Sequence, residues 1–248
     1  MKAILTGHTR GLGAAVAASL LARNIPVLGL ARAGNVELAQ RFPAALTQVA
    51  LDLSDTAALA TWLAGAALQD FLAGSKTVLL INNAGMLQPV GPIPGQEVAA
   101  IARAVSLNVA APLMLASAVA AASADASDGA AETRILHVSS GAGRNAMPGW
   151  SIYCATKAAV DHHARAAALD QAPAVTICSL APGIIDTDMQ AEIRATPVEK
   201  FPAREKFEAF KRNGDLATAE DCARRLVDYL LGDKFGQLAV ADLREVNL

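Results

Sequence analysis

Met1-Lys2-Ala3-Ile4-Leu5-Thr6-Gly7-His8-Thr9-Arg10-Gly11-Leu12-Gly13 opens the chain with a short apolar run, a group of three glycines and the start of a helical pattern. The apolar run reads as a strand, and the glycines as the turn into a helix. Gly7, Gly11 and Gly13 let the backbone turn tightly and approach an anion, which then rests on the unpaired N–H groups and positive dipole end of the helix. The segment Gly7, Thr9, Arg10, Gly11, Leu12 and Gly13 is therefore expected to cradle the pyrophosphate of a dinucleotide. The spacing is Gly-x3-Gly-x-Gly and no Lys-Ser/Thr pair follows, which disfavours a mononucleotide kinase or GTPase. An ordinary glycine-rich turn is the other reading of this loop taken alone.

Outward from the loop, strand and helix patterns alternate. Strands are expected at residues 2–6, 26–30, 47–51, 77–82, 134–139, 175–180 and 238–242, and helices at 11–23, 56–73, 97–122, 150–170 and 219–231. Near-continuous apolar strands such as Thr77-Val78-Leu79-Leu80-Ile81 suit a parallel sheet covered on both faces. The expected fold is thus α/β, a doubly wound, Rossmann-like parallel sheet of about seven strands forming one domain over residues 1–248. Residues 125–133 read as an exposed loop. Residues 189–214 form a charged, helical insertion after the sixth strand, placed to act as a lid over the strand ends.

At 248 residues and 53% hydrophobic content, the chain can bury a substantial core. A formal net charge of −2 provides no basic footprint for nucleic acid. The three cysteines, Cys154, Cys178 and Cys222, show neither disulfide nor metal-ligand spacing, so reduced thiols in a cytoplasmic setting and no metal site are expected. Residues 104–124 are uncharged and long enough to cross a bilayer. Asn108, Pro112 and the abundance of Ser and Ala favour instead a helix buried under a sheet, and no membrane partner is expected.

The second strand bears on cofactor choice. A chain preferring NAD usually ends this strand in an acid, roughly 20 residues beyond the glycine loop, to hold the ribose 2′-hydroxyl. Here the stretch is Leu28-Gly29-Leu30-Ala31-Arg32-Ala33-Gly34, with no acid. Arg32 and Arg10 can clamp a 2′-phosphate with guanidinium forks, pointing to NADP(H); the alternative is two solvated arginines. Asp52 is a candidate for the adenine amino group or for a cap on the next helix.

Tyr153 and Lys157 lie one helical turn apart, with Ser140 upstream. Hydride reaching a carbonyl carbon builds charge on oxygen, so a proton donor must be within reach. A free tyrosine, with a pKa near ~10, holds its proton too tightly for easy transfer. The charge on Lys157 is expected to lower it, making Tyr153 the acid and a carbonyl compound the small-molecule partner. Ser140 can add a second hydrogen bond to the carbonyl oxygen. Asn108 either completes a water relay to Lys157 or satisfies a helix kink ahead of Pro112. Tyr229 reads as core.

Together these residues resemble the short-chain dehydrogenase/reductase family over essentially the whole chain. The match comprises Thr6-Gly7-x3-Gly11-x-Gly13, Asn82-Asn83-Ala84-Gly85, Asn108, Ser140, Tyr153-x3-Lys157, and Pro182-Gly183 with Thr187. The resemblance implies a catalytic set of Asn108, Ser140, Tyr153 and Lys157. It implies further cofactor contacts from Leu53, Asn83, Ala84, Gly85, Tyr153, Lys157, Pro182, Gly183, Ile185 and Thr187. It also implies a homodimer or homotetramer built on the Ala-rich helices holding Asn108 and Tyr153. Residues 149–161 and 181–190 are similar to the sepiapterin reductase branch, whose bacterial look-alikes reduce aromatic diketones such as benzil. That similarity implies substrate contacts from Trp150, Met189 and Asp242, with Asp242 either meeting a pterin edge or simply ending the last strand. A non-catalytic NADP-sensing regulator is the contrasting reading, but such a protein would be expected to have lost Ser140, Tyr153 or Lys157. An epimerase or dehydratase would need a larger carboxyl-terminal region than follows Gly183.

Overall fold

Apolar strands with both faces hydrophobic have to be covered on both sides, and this requirement organises the molecule. The computed structural model describes residues 1–124, 131–172 and 174–246. Its strands are β1 Lys2–Thr6, β2 Val27–Ala31, β3 Leu46–Ala50, β4 Thr77–Asn82, β5 Glu132–Val138, β6 Val175–Ala181 and β7 Val240–Asp242. They form one seven-stranded sheet in the order β3-β2-β1-β4-β5-β6-β7, with every pairing parallel. The helices are α1 Gly11–Leu21, α2 Val36–Arg41, α3 Thr56–Leu63, α4 Ala67–Leu72, α5 Val98–Val105, α6 Ala111–Ala124, α7 Ser151–Leu169, α8 Asp188–Ala195, α9 Arg204–Asn213 and α10 Ala219–Leu231.

Strand residues alternate between two cores. Ala3, Leu5, Leu79 and Ile81 pack with Val16 and Leu20 of α1 and Leu226 and Leu230 of α10. Ile4, Leu28, Leu30 and Leu80 face the other way, onto Leu59, Leu68, Leu115 and Val119 of α3, α4 and α6. Each fully buried leucine contributes about 1.5–3 kcal/mol of transfer free energy, so the two faces together hold the sheet. A third apolar cluster, off the sheet, joins Leu87, Trp150, Tyr153, Ile193, Phe201 and Phe207. Between β1 and β4 the strand order reverses, which opens a crevice beyond their carboxyl ends.

Several local expectations are corrected. The helix expected over residues 56–73 is two helices, because the chain turns at Gly65, a poor helix former. The helix α2 was not foreseen; only Leu38 of it is buried, so it carries no apolar stripe, and Asn35 caps it by accepting from Leu38 N at 3.0 Å. Asp55, not Asp52, caps α3. Of the expected loop 125–133, Glu132 and Thr133 are strand, with Thr133 buried beneath neighbouring backbone; residues 125–130 lie outside the described residues. Val98–Ala124 is long and apolar enough to cross a membrane. It is interrupted by a π turn at Ser106–Ala110, and its Leu115 and Val119 are fully buried against the sheet.

Candidate active site

The glycine loop leaves β1 with no room for side chains. Gly7 and Gly11 have φ of +71° and +53°, and a Cβ on Gly13 would lie 2.0 Å from the Gly7 carbonyl oxygen. Arg10 begins α1 without a side-chain cap, so the first N–H groups of that helix remain available to an anion. The fourth-strand motif braces the loop from below. The main-chain N–H groups of Asn83 and Ala84 each donate to Thr6 Oγ1 at 2.9 Å, and Asn83 Nδ2 donates to the carbonyls of Thr6 and Gly7 at 2.9 and 3.2 Å.

At the far end of the loop, Arg32 is exposed and makes no hydrogen bond or ion pair among the described residues. Arg10 Nη1 lies 3.0 Å from Asp188 Oδ2, with both side chains 74% exposed, a pairing of little energetic weight. Asp52 accepts from the N–H and hydroxyl of Ser54 at 2.9 and 2.7 Å through one oxygen. Those two bonds hold its carboxyl below the usual range.

One cleft of about 1170 Å³ runs from this loop across the carboxyl ends of the strands. Every residue expected to touch cofactor, carbonyl or substrate lines it, except Asn108. The Asn108 side chain is buried in the π turn, where Oδ1 accepts from Met86 N at 2.9 Å and Nδ2 donates to Met86 O at 2.8 Å and to Thr156 Oγ1 at 3.2 Å. It braces residues 85–87 against α7. A Cβ on Gly85 would lie 3.4 Å from Asn108 Oδ1 and 3.7 Å from Lys157 Nζ, ordinary contact distances, so Gly85 adjoins both side chains.

Tyr153 and Lys157 are both buried on α7. Lys157 Nζ donates to the Val138 carbonyl at 2.7 Å and lies 5.7 Å from the Tyr153 ring centre. The expected lowering of the tyrosine is reversed in this structure. Burial pushes the Tyr153 hydroxyl up to about 12, and its hydrogen bond with Ser140 offsets only part of the rise. Burial also draws Lys157 down to about 8, opposed by the charge of Asp161. Tyr153 therefore holds its proton across the neutral range. Ser140 Oγ accepts from Ala142 N at 3.2 Å, which orients its hydroxyl toward Tyr153 as a donor.

The cleft lining also carries an aromatic cluster and a paired acid. Trp150 stacks on Phe201 with ring centres 4.5 Å apart and meets the edge of Tyr153 at 5.4 Å. Phe207 and Phe210, on α9, extend this wall, and Met189 packs on it. In the same cleft, Asp242 is buried and already paired. Its two oxygens accept from Arg244 Nε at 2.9 Å and Nη2 at 2.7 Å, Arg244 N adds a third bond at 3.0 Å, and Arg144 Nη2 stands 3.8 Å away. The carboxylate proposed for a pterin edge thus faces two guanidinium groups of its own chain.

The sequence profile of the short chain dehydrogenase family matches residues 1–198. The chain belongs to the short chain dehydrogenase family. A benzil reductase ((S)-benzoin forming) of Bacillus cereus is 33% identical over 253 residues, covering 98% of this chain and 98% of its own. A sepiapterin reductase of Meriones unguiculatus is 32% identical over 251 residues, covering 96% and 94%. A crystal structure of a short-chain dehydrogenase/reductase from Burkholderia vietnamiensis is 48% identical, with a TM-score of 0.71 over 99% of this chain and 98% of that one. This short chain dehydrogenase is accordingly an oxidoreductase acting on CH–OH and C=O groups.

Phe207, Phe210 and Ile193 line the cleft beyond the residues expected from the sequence, and the fully buried Phe201 supports Trp150. The signal was present in Phe207 and Phe210, three apart on an otherwise charged helix. Arg144 and Arg244 were missed as well, although Arg244 stands two residues from the acid it neutralises.

Proposed function

We propose that this short chain dehydrogenase is an NADPH-dependent reductase of aromatic ketones and 1,2-diketones, with the chemistry for which its benzil reductase relatives are named. The observation that carries the reading is the aromatic wall of Trp150, Phe207 and Phe210 beside the Tyr153 ring, in a cleft where the Asp242 carboxylate is already paired. Flat aryl groups gain area and edge-to-face contact on such a wall.

The residues fit a dinucleotide, because the glycine cradle has no space for a Cβ at Gly13 and α1 presents uncapped N–H groups. The loop from Gly7 to Gly13 would hold the pyrophosphate, Asp52 and Leu53 the adenine end, Arg32 and Arg10 the 2′-phosphate, and residues 83–85, 182, 183, 185 and 187 the nicotinamide end. When bound, this cofactor supplies hydride to the carbonyl carbon. Tyr153 gives its proton to the oxygen, Ser140 donates a hydrogen bond to the same atom, and the Lys157 ammonium stabilises the phenolate left behind. A water beside Gly85, between Asn108 and Lys157, would restore the proton. Helices α8 and α9 cover the substrate within residues 189–214.

Phe210→Ala, at a half-buried position, tests the wall. It should lower kcat/KM for benzil roughly tenfold while leaving a small aliphatic diketone within about twofold. Equal loss on both would remove Phe210 from the site, and failure of the unsubstituted protein to reduce benzil would reject the substrate class. A pterin reading is favoured by one observation, the position of Asp242 in the cleft, which a swing of the half-exposed Arg244 would release. Turnover of sepiapterin in preference to benzil would establish it instead.

We also propose that two copies pair through the helices holding Asn108 and Tyr153. Val98 and Val105 of that long apolar helix are 81% and 44% exposed in the single chain, area that a partner would cover. Sedimentation should give at least twice the 25.5 kDa chain mass. A monomer at micromolar concentration would refute the pairing.

A further inference from the structure

Tyr153, Lys157 and Asp161 occur at successive four-residue steps on α7 and share one buried face. Asp161 is 1% exposed and Lys157 is 7% exposed. A carboxylate at this depth requires compensation, yet its hydrogen bonding is only half complete. Oδ1 accepts from Ser179 Oγ on β6 at 2.7 Å, whereas Oδ2 is buried without a hydrogen-bond partner among the described residues. Space for Oδ2 is made by Gly143, in the turn that follows Ser140. A Cβ there would lie 2.9 Å from Oδ2 and 3.0 Å from the Lys157 carbonyl oxygen. The backbone of the Ser140 turn thus closes directly over the acid, leaving its free oxygen with no neutralising bond.

We propose that Asp161 is a positioning residue for the reduction, the buried counter-charge that keeps the Lys157 ammonium protonated behind Tyr153. The inference rests on the role given above to Lys157. Other titratable groups around the pair do not supply that charge. From β5, His137 is held neutral, because burial pushes it down to about 3. From β6, Cys178 is held as a thiol, because burial pushes it up to about 11. Tyr153, on the same helix, is protonated. Asp242, at the end of β7, is matched by Arg244 and Arg144. Asp161 acts on Lys157 without a direct contact, as a charge one helical turn away that opposes the fall caused by burial. Since Lys157 is cationic only below about 8, loss of the acid moves its deprotonation toward neutral pH and below.

Asp161→Asn keeps the shape and an acceptor for Ser179 while removing the charge. The Lys157 titration is followed by NMR of 13Cε-labelled lysine, with Lys157→Met to identify the resonance. The midpoint should drop by about one to two pH units, the effect of a unit charge at about 6 Å in a protein interior. The alkaline limb of the rate profile for diketone reduction should move by the same amount, with the Michaelis constant for the cofactor unchanged. An unchanged midpoint, even with a lowered melting temperature, would overturn the proposal and leave Asp161 a purely structural residue. If the Asn variant does not fold, the 13Cγ shift of Asp161 in the unsubstituted protein decides. An ionised carboxylate at neutral pH is required, and a protonated one would overturn the idea. Neither NMR measurement needs turnover, so a shifted midpoint in a protein that reduces no diketone would reject the proposed substrate and spare this inference.

Discussion

Tyr153→Phe is expected to bind NADPH as the unsubstituted protein does and to lose reduction by on the order of a thousandfold in kcat, the usual weight of one general acid. The physical case is narrow. The phenyl ring stays in place, because its packing against Trp150 at 5.4 Å does not involve the hydroxyl. Only the proton and the Ser140 hydrogen bond are removed. Stability should therefore change by no more than about 1 kcal/mol, the net value of one hydrogen bond. Stopped-flow turnover with benzil, alongside cofactor binding followed by nicotinamide fluorescence, checks both halves. Turnover within a few-fold of the unsubstituted rate would assign the proton to another group.

Arg32→Ala carries the second large effect, and it acts on cofactor choice. Arg32 is exposed, without an ion-pair partner among the described residues, and lines the same cleft as the glycine loop. A guanidinium without an internal partner is free to bind a phosphate, and a charge-assisted bond of about 1.5–3 kcal/mol corresponds to a rise in the NADPH Michaelis constant of roughly ten- to a hundredfold. NADH lacks the contacted group, so its constant should stay within about twofold. Parallel initial-rate series with the two cofactors measure the difference. Arg10 would join such a clamp by leaving Asp188, because an ion pair this exposed offers little resistance to a phosphate. An equal change for both cofactors would make Arg32 a surface residue with no part in recognition.

How much of this was legible in the chain follows the reach of each interaction. The strands were visible because both faces are buried, which leaves continuous apolar runs in the sequence. The glycine loop and the pair Tyr153 and Lys157 were visible because a tight turn and a single helical turn are local geometries with fixed spacing. What escaped depends on distant parts of the chain. Phe201 supports Trp150 only because residues 189–214 fold back over that ring. The direction of the Tyr153 shift depends on how much chain covers the ring, which spacing does not report. Asp242 looked free because its partners, Arg244 and Arg144, were not matched to it. The break at Gly65 and the short α2 failed for another reason, since helices with one or two buried residues leave no periodic trace.

Phe201 is fully buried on Trp150, and a Cβ on Gly149 would lie 2.2 Å from the Lys200 carbonyl oxygen. The covering segment is thus nailed down at its midpoint, directly beside the residue that precedes Tyr153's helix. This divides the architecture into a chassis and an interchangeable fitting. Phe210, at the outer end of the wall, meets the ring of Phe207, whereas Phe207 touches Trp150 directly, so exchange at Phe210 should disturb the proton donor least. On the proposed reading, a change in the molecules accepted should then be reachable at Phe210 with the reaction itself unchanged.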